Sequence, residues 1–457
     1  MSRQLIVIAK KNVSLDRLNE ESIPSSDNRN DSLISMLASE KVQIQPLFNV
    51  EQIQPASSFS LEQDVDIPDF SKYYKVSAPD EKLEELVEKL RNSSEVEDAY
   101  IKPAPELARL AAEPIPDVAP PASPDFSVRQ GYLDAAPVGV DARHAWAFPG
   151  GKGNGVKIVD IEGAWKFSHE DLRQNQGGVI GGTPSSEIGW RNHGTAVIGE
   201  ISGDENALGV TGISPNAKIH AVSIFGPEQT SSTAIVQAAN ALNSGDIILI
   251  ELHAPGPRFN FQSRPEDQKG YIAIEWWPDD FDSIRYATAK GIIVVEAAGN
   301  GAEDLDDTIY ENRFNRNNRD SGAILVGAGA PPPGTHGRNH GPDRSRLPFS
   351  NYGSIVDTQG WGREVTTTGY SDLQGGGNED VWYTDQFSGT SSASPIIVGT
   401  VACLQGIVKA RGQAALKPSR VRELLRNSGS PQQDEPTRPR TQRIGNRPDL
   451  KQLINML

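Results

Sequence analysis

Three residues of this chain place an acid, an imidazole and a hydroxyl where an element begins or ends. Asp160 closes the apolar run "GVKIVD", His193 sits at the start of the helical stretch "NHGTAVIGEI", and Ser391 lies in "GTSSASP" ahead of a long apolar run. A carboxylate at a strand end is placed to receive an imidazole N–H from a neighbouring loop. A hydroxyl at a helix start meets unpaired N–H groups and the positive end of the helix dipole, which together can hold an oxyanion. Each residue alone also has an ordinary role: turn chemistry for the Asp, a helix-opening or core position for the His, an N-cap for the Ser. Taken together they are the parts of nucleophilic acyl transfer.

The elements that must position them follow from the apolar pattern. "GVKIVD", "AKIHAVSIF", "DIILIEL", "GIIVVEAA" and "GAILVGA" are short β-branched runs, and helices are expected over 194–202, 231–243, 282–290 and 391–410. Such runs alternating with helices predict an α/β fold, a doubly wound and mostly parallel sheet covered by helices on both faces. Ligands of such sheets bind at the carboxyl ends of the strands. Residues 1–104 read differently, as β-α-β-β-α-β, a small α+β unit of ferredoxin-like order. Its strands are "LIVIAK", "VQIQPLF", "YYKVSA" and "VEDAYIK", and its helices "SLISMLASE" and "EKLEELVEKL", the latter with Leu83, Leu86, Val87 and Leu90 at helical spacing. Between the two regions, residues 105–125 are rich in Pro and Ala and read as an exposed, cuttable linker. The larger domain then spans 126–457.

Composition narrows the partners. Of 457 residues, 60 are acidic and 44 basic, and the net charge of -16 argues against a nucleic-acid or anionic-membrane surface. The single cysteine, Cys403, forbids an intramolecular disulfide and lies in apolar surroundings, as a buried thiol does. His336 and His340 have the i, i+4 spacing of a zinc pair, but Gly and Pro around them forbid the helix that would align them, so they read as loop residues. The N-terminal "LIVIA" is too short for a signal-peptide core, and no segment has the roughly 18 apolar residues of a membrane span. As written, a cytoplasmic location is favoured, with export by another route left open.

The chain order Asp160, His193, Ser391 is one of the known orders of the serine-protease triad. With "IVDIEGAWKFSHEDL", "NHGTAVIGEI", "VVEAAGNG", "FSNYG" and "FSGTSSASPIIVG" following in turn, the sequence resembles the subtilisin-like serine proteases, the subtilases. The resemblance implies Ser391 as nucleophile, His193 as general base and then acid, Asp160 as the partner of the imidazole, and Asn300 as the side-chain oxyanion donor beside the Ser391 N–H. It puts Leu252, His253 and Ala254 on one wall of the substrate cleft and Ala298 and Gly299 on the other, with the peptide also pairing near residues 226–231. Catalysis would need no cofactor. A structural calcium ion would be held by Asp171, by the Asn206 side chain and by the carbonyls of Asp204, Leu208 and Val210.

The resemblance further implies that residues 1–104 are a prodomain, an intramolecular inhibitor and folding aid. Cleavage would then fall in the linker near Leu110 to Glu113. The expected function is a self-processed serine endopeptidase acting on peptides or proteins. A peptide ligase using the same acyl-enzyme, and an idle peptide-binding protein, are the alternatives. Two departures stand out. Where the family usually has Ser or Thr then Gly after the Asp, this chain has Ile161, Glu162 and Gly163, with Glu162 expected to turn to solvent; the other reading is a second carboxylate acting on the His or on a substrate cation. At His253, a position the family usually gives to glycine, an imidazole would narrow or polarise the pocket. The segment 255–281 is an aromatic insertion that forms either a wall over the cleft or a core of its own.

Overall fold

The structure is a computed structural model that describes residues 3–11, 13–15, 33, 37, 40, 42–54, 67–108 and 122–457. The chain divides into two compact units, one ending at Pro105 and a second that includes Glu106–Leu457.

In the first unit, β1 (Gln4–Ala9), β2 (Gln43–Pro46), β3 (Tyr73–Ser77) and β4 (Val96–Lys102) form an antiparallel sheet in the order β2-β3-β1-β4. Helix α1 (Leu83–Arg91) lays Leu83, Leu86, Val87 and Leu90 into a core with Leu5, Val7 and Val76, as the helical spacing of its apolar residues dictates. The helix expected over 32–40 falls mostly outside the described residues, of which Leu33 and Leu37 join this core.

The second unit is built on seven parallel strands: β6 (Lys157–Glu162), β7 (Gln176–Gly181), β8 (Lys218–Ser223), β9 (Ile247–Ile250), β12 (Ile293–Ala297), β13 (Ile324–Gly329) and β14 (Val356–Trp361), in the order β14-β13-β12-β9-β6-β8-β7. All residues of β9 and β12 are buried, so both faces of the sheet are covered, which is why these strands read as unbroken apolar runs. Helix α2 (Ile188–Ser202) packs beside α5 (Thr390–Ala410), and α5 also lies on β12, β13 and β14. Helix α3 (Ser231–Ala241) and α4 (Pro278–Ala289) pack on each other and on the sheet, and α6 (Pro418–Asn427) lies against β14. Helix α5 is long and apolar enough to cross a membrane by composition, but its length is spent inside this core.

Strands β7 and β14 were not expected. "QGGVIG" is diluted by three glycines, and "VDTQGW" buries polar side chains whose partners lie far away in sequence: the Asp357 carboxylate accepts from Arg316, Arg426 and the Leu325 N–H, and Gln359 donates to the Gly445 carbonyl. Three short antiparallel strands complete the cleft: β5 (Glu106–Leu107), β10 (Leu252–Pro255) and β11 (Tyr271–Ala273), in the order β11-β10-β5.

Candidate active site

Strand β6 runs two residues further than its apolar pattern suggests, and that extension decides which carboxylate meets the histidine. Asp160 is paired on both sides, with Ala221 of β8 and Leu249 of β9, and so lies back inside the sheet. Glu162 is the last residue of the strand, on the same face as Asp160 by the period of two. Its Oε1 lies 2.8 Å from His193 Nδ1, and both side chains are fully buried. Two expectations are therefore corrected. Glu162 does not turn to solvent, and it, not Asp160, faces the imidazole. Asp160 Oδ2 instead accepts the Trp165 indole N–H at 2.6 Å, and its Oδ1 has no hydrogen-bond partner among the described residues.

Without a cationic partner, burial pushes the Asp160 carboxyl up to about 7. Glu251, whose Oε1 accepts from Ser394 Oγ at 2.6 Å, and Glu200 on α2 are also fully buried and are pushed well up by desolvation, with Asp160 adding to the shift at Glu251 and Glu251 to that at Glu200. Asp160 is thus an acid that the fold prefers neutral. A raised folded pKa gives stability that is complete below the ordinary value near 3.8 and is lost as pH rises through about 7. In a Ser391→Ala background, which prevents self-digestion, Asp160→Asn is expected to raise the melting temperature at pH 8 by several degrees and to give no gain at pH 4. Thermal denaturation at the two pH values measures it; an equal or larger gain at pH 4 would contradict the assignment.

Ser391 is the second residue of α5, and its Oγ lies 2.8 Å from His193 Nε2. A carboxylate facing Nδ1 favours the tautomer with the proton on that nitrogen, which leaves the Nε2 lone pair to accept the hydroxyl proton. The Phe387 ring meets the imidazole in a T-shaped contact at 5.3 Å between ring centres. Asn300 follows β12 and is anchored at three points: its Oδ1 accepts from the N–H and the hydroxyl of Thr390, its own N–H donates to His253 Nδ1 at 3.3 Å, and its Nδ2 donates to Gln268 Oε1 at 3.1 Å.

The cleft already holds a strand of this chain. Residues Glu106 and Leu107 pair antiparallel with β10, Leu107 opposite Leu252 and Glu106 opposite His253. The next carbonyl oxygen, that of Ala108, accepts from Ser391 Oγ at 2.5 Å. Gln268 Nε2 donates to the Leu107 carbonyl at 2.9 Å. The start of the expected linker is therefore a bound strand. The expected pairing at 226–231 is not among the described ladders; Thr230 there caps α3. The span from Leu110 to Glu113, where cleavage was expected, lies outside the described residues.

A sequence profile described as the subtilase family matches residues 124–445. The chain belongs to the subtilase family. It is 28% identical over 262 residues to the alkaline protease of Alkalihalobacillus alcalophilus, a match covering 55% of this chain and 54% of that protein, so only about half of that relative's length is spanned. It is equally identical to subtilisin Savinase of Lederbergia lenta, over 55% of this chain and 77% of that one. Among solved structures it resembles fervidolysin from Fervidobacterium pennivorans, a keratinolytic enzyme related to subtilisin (TM-score 0.57, 17% identity, 100% of this chain and 61% of that one). It also resembles the epidermin leader peptide processing serine protease of Staphylococcus aureus (TM-score 0.56, 18% identity, 100% and 98%). These two share the fold. The matched subtilase region contains Glu162, His193, Asn300 and Ser391, and begins after Ala108.

The family needs no cofactor for catalysis and commonly binds calcium, so the expected calcium ligands are tested by what their oxygens already do. Asp171 Oδ1 accepts from Asn206 Nδ2 at 2.8 Å and its Oδ2 from the Val210 N–H at 2.6 Å. Asn206 Oδ1 accepts from the Leu208 N–H, and the Asp204 carboxylate accepts from the N–H groups of Arg173 and Gln174. These bonds order the loop around Asp171, and the oxygens that the expected calcium ion would take are the carbonyls of Asp204, Leu208 and Val210 beside the Asp171 and Asn206 side chains. Among the described residues no group of three or more His, Cys, Asp and Glu side chains could hold a metal ion.

The remaining candidates fall to structural roles. His340 Nε2 pairs with Glu364 Oε1 at 2.7 Å, and Arg338 and His336 flank the same carboxylate, holding it down to about 2 against its burial. Cys403 is buried, donating to the Ile213 carbonyl. In the insertion, Phe261 packs on Trp276 and Trp276 on Trp277, while Arg264 covers Phe259, so these aromatics hold their own loop down; Tyr271 goes to β11 beside the cleft. Sequence reasoning missed Gln268 and Gly389. Gln268 gives no local signal, since its contacts follow from the fold of the insertion. Gly389 stood in the quoted "FSGTSSASPIIVG", and its φ of 117° marks a conformation that only glycine adopts readily.

Proposed function

We propose that this chain is a serine endopeptidase that cuts its own backbone after Ala108 with a Ser391–His193–Glu162 triad. The observation that carries the reading is the Ala108 carbonyl, whose oxygen accepts a hydrogen bond from Ser391 Oγ at 2.5 Å at the end of a strand held by β10. His193 Nε2 takes the Ser391 proton as Oγ attacks the Ala108 carbonyl carbon. Negative charge then develops on the carbonyl oxygen, beside Gly389, where Asn300 Nδ2 and the first N–H groups of α5 can stabilise it. Collapse breaks the bond to Arg109, whose amine receives the proton from His193. Water, deprotonated by the same imidazole, hydrolyses the acyl-enzyme. Glu162 keeps the Nδ1–H tautomer and stabilises the imidazolium in both halves. The freed Ala108 carboxylate stays in the cleft as the end of an inhibitory tail carried by the N-terminal unit, and the same machinery, once cleared, acts on other peptides.

Intact mass and N-terminal sequencing of the purified chain test this directly. Wild type is expected as two pieces, the second beginning at Arg109, while a Ser391→Ala control stays a single chain of 49.4 kDa. Identical uncut masses would overturn self-processing, and a new N-terminus elsewhere in the linker would overturn Ala108 as the cut residue.

A further inference from the structure

We propose that this enzyme cleaves after alanine, glycine or serine and rejects larger residues, because His253 and Tyr271 fill the space a larger side chain would need. The inference rests on the protease reading above and deepens it by naming the substrate class.

The register sets the geometry. Glu106 pairs with His253, and Ala108, two residues on, shares the face of Glu106 and therefore of His253. Ala108 is fully buried. On that face, between β10 and the wall formed by residues 297–301, the His253 imidazole is itself fully buried, its Nδ1 accepting the Asn300 N–H and its ring 4.5 Å from that of Tyr271. Tyr271 is brought there by β11, which pairs with the far edge of β10 and sets Tyr271 opposite Pro255.

Two further contacts pin Tyr271 against the wall. Its carbonyl accepts from Asn351 Nδ2 at 2.8 Å, and a Cβ placed on Gly301 would come within 2.1 Å of that same oxygen. Gln268 spans the remaining opening, donating to the Leu107 carbonyl and accepting from Asn300. A ring or a long aliphatic chain at the cut position would have to displace a hydrogen-bonded imidazole and a strand. A basic side chain would meet a histidine that burial holds neutral, at about 3, and carboxylates on this face that already accept from serines, Glu106 from Ser263 and Glu251 from Ser394.

The test varies residue 108 in the full chain and reads two quantities. Self-processing rates followed by intact mass are expected to agree within about ten-fold for Ala, Gly and Ser at position 108, and to fall at least about 100-fold for Phe, Leu and Arg. In the Ser391→Ala chain, hydrogen exchange of the amides of Leu107 and residue 108 is expected to be protected with Ala and to lose that protection in Ala108→Phe. Adding His253→Gly, or separately Tyr271→Ser, to Ala108→Phe should restore it. Phe or Leu processed as fast as Ala, or unchanged protection in Ala108→Phe, would overturn the proposal. The exchange measurement needs no catalysis, so if no variant self-cleaves, the protease reading fails while this measurement still decides the subsite.

Discussion

Glu162→Gln is expected to lower kcat by about 10⁴-fold, the loss found when the triad carboxylate of another serine protease becomes an amide. Asp160→Asn should cost less than about ten-fold. The two carboxylates sit two residues apart on one strand, and either could have been the partner of the histidine. Geometry separates them: Glu162 Oε1 is 2.8 Å from His193 Nδ1, whereas Asp160 is hydrogen-bonded to Trp165. An amide at 162 no longer selects the Nδ1–H tautomer and cannot balance the imidazolium that forms when Ser391 gives up its proton. Glu162→Asp, shorter by one methylene, should fall between the two because the carboxylate is kept but no longer reaches. Self-processing rates of the full chains, followed by intact mass, give all three values. The reverse ranking, with Asp160→Asn the slower enzyme, would sink the assignment of Glu162.

The reason sequence reasoning chose Asp160 is physical. The apolar signal of β6 stops at the first carboxylate, so "GVKIVD" looked complete, and a buried Glu is costly unless it is paired. The ladder nevertheless continues, with Glu162 opposite Ser223, and His193 supplies the partner that offsets the desolvation. By contrast the strings around His193, Asn300 and Ser391 have helix and turn geometry set by immediate neighbours, and the structure brings the three together, His193 Nε2 to Ser391 Oγ and Asn300 Oδ1 to the neighbouring Thr390. The parallel sheet was legible for the same kind of reason: β-branched runs buried on both faces need no distant partner to be recognised. Gln268 and the occupied cleft were not, because they depend on contacts between residues over 100 positions apart, such as Leu107 with Leu252 and Gln268 with the Leu107 carbonyl.

Gly389→Ala is expected to reduce kcat/KM by about 10³-fold or more, comparable with the complete loss of an oxyanion donor. Two independent constraints meet at this residue. Its φ of 117° with extended ψ lies in a region that costs any L-residue on the order of 1–3 kcal/mol. A Cβ there would also lie 2.2 Å from the Ala108 carbonyl oxygen and 3.2 Å from Asn300 Nδ2, inside the volume the oxyanion must occupy. The methyl group therefore excludes the substrate carbonyl from the transition-state position, and the strain displaces the start of the helix that carries Ser391. Asn300→Ala isolates the electrostatic part, since it leaves Gly389 free, and should cost about 10²- to 10³-fold in kcat with little change in KM. If Gly389→Ala folds with an unchanged melting temperature and processes itself at the wild-type rate, the carbonyl does not sit where these distances place it. If Asn300→Ala raises KM while leaving kcat intact, its Nδ2 binds the ground state and the oxyanion is held by the first N–H groups of α5 alone.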